Sequence, residues 1–565
     1  MKLWRRYAGA AAVVCLCFPA AVKTAERMTV SGRPFTAWFV DVAAAAGITA
    51  RQICGNDDSK RDIHEIPGTG VAFLDFDNDG RLDVLLVNAD RIEATRGEQR
   101  PTNHLYRNLG DGRFADVTHE AGLDRPGWGV GVCTGDIDND GFDDLYITYW
   151  GPNRLYRNLG DGRFADISTQ SHTAGSGGDW STGCTFLDYD RDGFLDLAVV
   201  SYGEPKSVGK SGCSWEGIPV ACGPGTGRSG RVTLYHNRGD GTFEDVSVKA
   251  GVRGDYRCYG FTAVAADFTR DDWTDLYVAC DSTPSLLFRN NRNGTFSEIG
   301  VSAGVALNQH GYEQAGMGIA VGDYNHDGFL DLVKTNFEDD LISVYRNVDR
   351  EFFTDEASMA GLAGDSRYVA WGIGLADVDN DGHPDLFQMN GHTYVEADRL
   401  KPSRGYRNPR LVFRNLGNGT FEDVSFLAGP GVAARHSSRG AAFGDFDNDG
   451  DIDVLVMNMG EPPSLLRNDL PPGNHWVSLQ LEGTRSNRSA IGATVTVVAG
   501  RLRQTSAVVS QSSFLSQNDR RLHFGLGAAA RFDGVTVHWP NGLVEEFPGG
   551  PPDRFVRLVE GQGLR

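Results

Sequence analysis

The sequence predicts an all-β fold: a seven-bladed β-propeller with calcium loops, followed by a small β-sandwich-like C-terminal domain. Three observations carry this. An acidic nine-residue loop occurs seven times, as DFDNDGRLD from Asp75, DIDNDGFDD from Asp136, DYDRDGFLD from Asp188, DFTRDDWTD from Asp267, DYNHDGFLD from Asp323, DVDNDGHPD from Asp377 and DFDNDGDID from Asp445. A second motif follows each copy in phase, from LYRNLGDGRFADVT at 105 to a truncated LLRND at 465. After residue 473 both motifs stop and a different strand-like pattern begins. Repeats of roughly 40–50 residues or more indicate propellers or solenoids.

Each repeat parses into four short strands. An inner strand of small residues (GVAFLDF, GIAVGDY) enters the acidic loop, and a second (DVLLVN, DLYITY) leaves it. The LYRN segment is the third, and a DG or NG turn leads to a fourth such as RFADVT. Four antiparallel strands per repeat around an axis make a propeller blade. The seventh repeat lacks its fourth strand, and WFVDVAAAAGI at 38–48 resembles RFADVTHEAGL at 113–123. The N-terminal segment is therefore expected to complete the last blade and remove an open sheet edge. The expected domains are a propeller at 36–468, with 36–48 as the closing strand, a DLPPG linker at 469–473, and a C-terminal domain at 474–565 built on WVSLQLEG, GATVTVVAG, LRQTSAVVS and VTVHWPNGLVEEF.

Carboxylates at positions one, three, five and nine, with glycine at six, follow the logic of a calcium loop. The predicted ligands are Asp75, Asp77, Asp79 and Asp83; Asp136, Asp138, Asp140 and Asp144; Asp188, Asp190, Asp192 and Asp196; Asp267, Asp271 and Asp275; Asp323, Asn325, Asp327 and Asp331; Asp377, Asp379, Asp381 and Asp385; and Asp445, Asp447, Asp449 and Asp453. Alternate side chains of a tight turn converge on one centre, and without a cation they repel one another. Up to seven Ca²⁺ ions are expected, but Thr269 and Asp272 break the pattern at positions three and six of the fourth loop and weaken that site. The loops hold 26 of these aspartates, more than the net charge of −21. The acidity is then mostly ligand inventory, and its sign disfavours nucleic acid as a partner.

The N-terminus places Lys2, Arg5 and Arg6 before an apolar run and then small residues, the order of a signal peptide, expected at 1–25. No membrane span is expected after its removal, and the mature chain is expected to be secreted or periplasmic. Export permits disulfides. Cys213 and Cys222 close a short loop and are the expected pair; the other mature cysteines, Cys54, Cys133, Cys184, Cys258 and Cys280, leave an odd thiol.

The DxDxDGxxD blades resemble FG-GAP or VCBS-type repeats. SNRSAIGATVTV at 486, SFLSQNDRRLHFGLG at 513 and VTVHWPNG at 535 resemble an ASPIC/UnbV domain. The combination is similar to the cartilage acidic protein-like family. That resemblance implies an exported calcium-binding protein without a defined reaction.

Strand order places the acidic loops on one face and the long insertions at 88–104, 201–231 and 390–411 on the other. The insertion face is the expected binding surface, with Trp128, Trp150, Trp180, Tyr312, Glu313, Gln314, Trp371, His392, Tyr394, His436 and Arg439 as its candidates. The ligand would be a glycan, a protein or a small molecule. HExxH and GxSxG are absent. The alternative is a calcium-dependent lyase, isomerase or biosynthetic tailoring enzyme in the central opening of that face, with His392, His436, Glu313 and Tyr312 as its acid–base set. Arg503, Asn518, His523 and Trp539 of the C-terminal domain read either as a ligand site or as turn and core residues.

Overall fold

The computed structural model describes residues 29–92, 100–203, 213–224, 228–362, 366–400 and 402–564; the expected signal segment lies outside them. Seven antiparallel four-stranded sheets form, one for each acidic loop. In the first, Val71–Leu74, Asp83–Leu86, His104–Asn108 and Phe114–Asp116 pair in chain order from the inside outward. The innermost strands of sheets two to seven are Gly129–Gly135, Trp180–Leu187, Gly260–Ala266, Ile319–Gly322, Ala370–Ala376 and Ser438–Gly444. These inner strands pack against one another in cyclic order, and the seventh packs against the first. The seventh sheet takes its outer strand from the N-terminal segment: Phe39–Asp41 pairs antiparallel with Ser464–Asn468.

Small residues on the inner strands follow from this closeness. A Cβ on Gly131 would stand 2.5 Å from the Thr182 carbonyl oxygen of the next inner strand.

Two sets of side-chain bonds tie each acidic loop to its surroundings. The position-nine aspartate is buried in all seven sheets. In six loops one of its oxygens accepts the N–H of loop position two, in the fourth Asp275 accepts that of Thr269 at position three, and in all seven the other oxygen accepts the N–H of an asparagine at or near the end of the third strand; Asp83 accepts from Phe76 and Asn108 in this way. The same asparagine then reaches across to the neighbouring sheet. Asn158, Asn237, Asn290, Asn347, Asn415 and Asn468 each donate from Nδ2 to the position-two carbonyl of the preceding loop, and Asn108 closes the circle on Phe446 of the seventh. The LYRN motif and the acidic loop keep phase because one is clamped to the other twice. Each clamp is buried, so Asn290→Ala is expected to cost about 1–3 kcal/mol; an unchanged denaturant midpoint would show that the bond carries no net stability.

The C-terminal strands form two sheets. One has three strands (Leu522–Gly527, His475–Glu482, Arg554–Val559) and the other has four (Leu502–Ala507, Thr494–Ala499, Phe532–His538, Val544–Gly550). Strands 522–527 and 554–559 were not among those expected. Gly542 takes φ +86° in the turn before the last strand of the four-stranded sheet. This region is not detached from the propeller. Val495, Val537 and Trp539 share one buried cluster with Cys133, Phe186 and Leu195 of sheets two and three.

Segment 510–519 of the C-terminal domain enters the centre of the ring and bonds to the inner strand of every sheet. Gln517 exchanges backbone bonds with Val71 and Phe73, Leu515 accepts from Val132, and Ser513 exchanges two with Ile319. The Gln511 Oε1 accepts from Cys184 and Ala263 while its Nε2 donates to Val132. Ser513 Oγ accepts from Ile373, and Asn518 Oδ1 accepts from Phe443. The ring's central opening is thus filled by protein.

Candidate functional site

Each acidic loop turns on two residues with positive φ. Position four is Asn78, Asn139, Arg191, Arg270, His326, Asn380 or Asn448, and position six is glycine in six loops and Asp272 in the fourth. The turn directs the carboxylates inward. Asp75 accepts from the N–H groups of Asp79 and Gly80, which closes the bend around its own side chain. Ligand oxygens of Asp75, Asp77 and Asp83 lie within 4.8 Å of one another, as do those of Asp136, Asp138 and Asp144, of Asp188, Asp190 and Asp192, and of Asp377, Asp379 and Asp385.

The position-three carboxylates provide a fit test for a cation. In loops one, two, three and six, a basic residue of the third strand takes the outer oxygen: Arg107 on Asp77, Arg157 on Asp138, His236 on Asp190 and Arg414 on Asp379. In the same four loops the inner oxygen, Oδ1, is buried without a hydrogen-bond partner. A buried carboxylate oxygen with no donor is costly, and the same inward position recurs around the ring. Burial first, then neighbouring carboxylates, push Asp75 and Asp136 up to about 6, and Asp83 and Asp188 up to about 8. Clustered all-oxygen donors of irregular geometry fit Ca²⁺.

Loop four differs in kind. The Thr269 hydroxyl donates to Asp275 Oδ2 at 3.0 Å, and Arg292 binds Asp271 at 2.7 Å. Its carboxylates are therefore satisfied by protein groups.

The C-terminal domain covers the acidic face. Trp476 packs on Gly450, where a Cβ would approach to 1.9 Å, and Gly525 packs on Asp377 in the same way. Arg520 pairs with Asp143, Arg521 bonds Asn448 and the Asp445 carbonyl, His523 meets Asn380, and His538 meets Asp272. Asn518 and His523 thus hold the interface with the propeller, and Trp539 is core.

On the insertion face, Phe514 of the central segment packs against Phe261 and Trp371 at ring distances of 5.4 and 5.1 Å. These two rings line a cavity of about 490 Å³. Of the candidates from sequence, Glu313, Gln314, Trp371 and Tyr394 line it, together with Tyr202, Asp281, Phe337, Glu338 and Thr393. His392 is buried beside it, its Nε2 3.5 Å from Glu338 Oε1.

The other candidates sit elsewhere. Trp150 stacks on His64 at 3.8 Å, with Trp180 at 4.3 Å from the same ring and Trp128 edge-on to Trp150. Trp128 and Trp150 also line a second cavity of about 410 Å³, with Arg100 and Arg154. His436 is hydrogen-bonded to Glu461, and Tyr312 is exposed. Arg439 is fully buried; its guanidinium donates to the carbonyls of Ile66, Gly391, Ser438 and His392 and lies 4.2 Å from the Trp371 ring centre. The four residues of the acid–base set are not gathered in one place. Sequence reasoning missed His64, Ile63, Ile66 and Pro67, because segment 50–68 carries no repeat or motif to single it out.

The FG-GAP-like repeat model matches residues 75–147, 136–199, 220–278, 267–333 and 403–456, over half of the chain. This chain belongs to the FG-GAP-like repeat family. Three of the five matches begin at acidic loops, at 75, 136 and 267, and the sixth copy at 377–385 lies outside all five although its sheet is present. A second model, ASPIC and UnbV, matches residues 483–565 of this FG-GAP-repeat protein. It is similar to Cartilage acidic protein 1 of Mus musculus, 26% identical over 503 residues, covering 84% of this chain and 70% of that one. It is likewise similar to Cartilage acidic protein 1 of Homo sapiens, 26% identical over 507 residues, covering 84% and 69%. Among solved structures, BP39L lectin from Burkholderia pseudomallei matches with a TM-score of 0.45 and 10% identity, over 72% of this chain and 98% of that chain. Among the described residues three disulfides join Cys133 to Cys184, Cys213 to Cys222 and Cys258 to Cys280, and Cys54 is a buried free thiol. Among the described residues no helix is long and apolar enough to cross a membrane.

Proposed function

We propose that this FG-GAP-repeat protein is an exported, calcium-stabilised binding scaffold whose working surface is the insertion face. The observation that carries this reading is the division of labour between the two faces. The acidic face lies under the ASPIC/UnbV region, while the opposite face keeps a cavity lined by aromatic and carboxylate side chains. A concave, mostly apolar site with a few placed polar groups is the usual form of a ligand site. The propeller at 36–468 is the scaffold, 469–473 the joint, and 474–565 a domain that locks the ring from the acidic side.

Calcium belongs to this reading as structure, not chemistry. Loops one, two, three, five, six and seven would hold the ions through the aspartates named above and Asn325. Loop four would fold without one, because Thr269 and Arg292 already satisfy its carboxylates. Metal analysis of the dialysed mature chain is therefore expected to give six calcium ions. Replacing Thr269→Asp with Asp272→Gly is expected to add a seventh, and seven in the unaltered chain would overturn the assignment of loop four. The disulfides suit an oxidising compartment, and extracellular calcium at about 10⁻³ M would fill sites of this type.

The ligand class is a glycan, protein or small molecule. The direct test is a binding screen of the calcium-loaded chain against saccharides and small metabolites, repeated with Trp371→Ala. Ligands lost with Trp371→Ala support the insertion face; hits unaffected by it place binding elsewhere.

A further inference from the structure

Loop six is closed where loops one, two, three, five and seven are open. In those five the position-five aspartate, Asp79, Asp140, Asp192, Asp327 or Asp449, is exposed. In loop six Asp377, Asp379 and Asp385 are all buried, at 5%, 2% and 1% exposure, and Asp381 at position five is partly buried. Oxygens of the three buried carboxylates lie within 4.8 Å of one another. Among the described residues Asp379 Oδ1 has no hydrogen-bond partner, so the cluster keeps a buried acceptor that the fold itself does not satisfy.

Protein covers this loop from two sides. Strand Leu522–Gly527 of the C-terminal domain lies directly on it. A Cβ on Gly525 would stand 1.9 Å from Asp377 Oδ2 and 2.7 Å from the Asn380 Cα, so the strand approaches as closely as glycine allows. The Gly527 N–H donates to the Asn380 carbonyl at 2.9 Å, Asn474 Nδ2 donates to the Asp379 carbonyl at 2.8 Å, and His523 Nε2 lies 2.6 Å from Asn380 Oδ1. Leu502 packs on Gly382, where a Cβ would approach it to 2.3 Å. From the propeller side the buried Arg414 reaches Asp381 at 3.0 Å and Asp379 at 3.4 Å. Its other amino group donates to the Pro34 carbonyl at 2.7 Å, which fixes the guanidinium across the remaining edge of the loop.

We infer that the C-terminal domain is the retaining cap of one calcium ion: the ion of loop six is occluded, and it exchanges with solvent only when strand Leu522–Gly527 lifts from the loop. An ion in any of the other five calcium loops leaves past an exposed carboxylate. An ion in loop six waits for a local opening that breaks the bonds of Gly527, Asn474 and His523, and such an opening costs free energy and is rarely populated. Five exchangeable ions and one retained ion are the result. This rests on the calcium assignment proposed above and adds to it a property of a single site.

The test loads the full mature chain with calcium, removes the excess ion, and follows release into a fluorescent chelator over time. One ion is expected to leave at least about tenfold more slowly than the other five. Urea below the unfolding transition is expected to speed the slow phase alone, because it favours the opening of the cap. Asp379→Asn is expected to remove the slow ion and leave five, whereas Asp79→Asn in the exposed loop one takes its ion from the fast phase. Asn474→Ala and His523→Ala loosen the cap without touching a ligand; they are expected to speed the slow phase several-fold with all six ions still bound. These two variants decide the question where Asp379→Asn does not fold. Release of every ion in one phase, a slow phase that survives Asp379→Asn, or one indifferent to both cap variants would overturn the inference while the calcium assignment stands. A mature chain that binds no calcium overturns both.

Discussion

In excess EDTA near neutral pH the chain is expected to melt well below its melting temperature in millimolar calcium. At free calcium about ten times the dissociation constant, each site contributes about 1.4 kcal/mol, so six give about 8 kcal/mol. That is comparable with the whole net stability of a typical domain, about 5–15 kcal/mol. A fall of roughly 7 °C would follow for a chain of this size.

The pH dependence is expected to change sign with the metal. Without calcium, burial raises the folded-state values of Asp75 and Asp136 to about 6, of Asp323 and Asp445 to about 7, and of Asp83 and Asp188 to about 8, from 3.8. The folded state then binds more protons than the unfolded state between pH ~4 and ~8, so stability falls as pH rises through that window. With calcium the ligands must be deprotonated, so acidification expels the ion and stability rises with pH over the same range. Melting curves at several pH values, with and without chelator, read this directly. Parallel curves in both conditions would mean that the carboxylates hold no ion.

The second large effect is expected from the central segment. A chain ending at Leu470 would leave the backbone groups of all seven inner strands without the partners that 510–519 supplies. It would also uncover Phe261 and Trp371, which pack on Phe514. Such a chain is expected to aggregate or to populate an open ring. Point variants grade the effect. Leu515→Ala removes a fully buried side chain and is expected to cost about 2–5 kcal/mol. Gly70→Ala would put its Cβ 1.8 Å from the Leu515 carbonyl oxygen, so it must displace the segment and is expected to destabilise at least as much. A truncated chain that melts cooperatively at the parent temperature would show that the ring stands without its plug.

The sequence by itself determined the elements that repeat. Seven acidic loops, the four-strand parsing and the borrowed outer strand at Phe39–Asp41 follow from local chemistry: strand alternation, turn glycines and carboxylate spacing within a few residues. The pair Cys213–Cys222 was legible for the same reason, since nine residues separate its members. The Asn clamps were visible as a conserved-looking letter of the repeat within this chain, but not as bonds, because each partner carbonyl lies in another blade. Only the tertiary structure decided that segment 510–519 fills the ring, that the C-terminal domain lies on the acidic face, and that Trp371, Glu313 and Glu338 share a cavity while Trp128, Trp150 and Trp180 gather around His64. Those contacts join residues up to several hundred positions apart. They are set by ring closure and burial, and neither leaves a local period in the chain for a sequence to display.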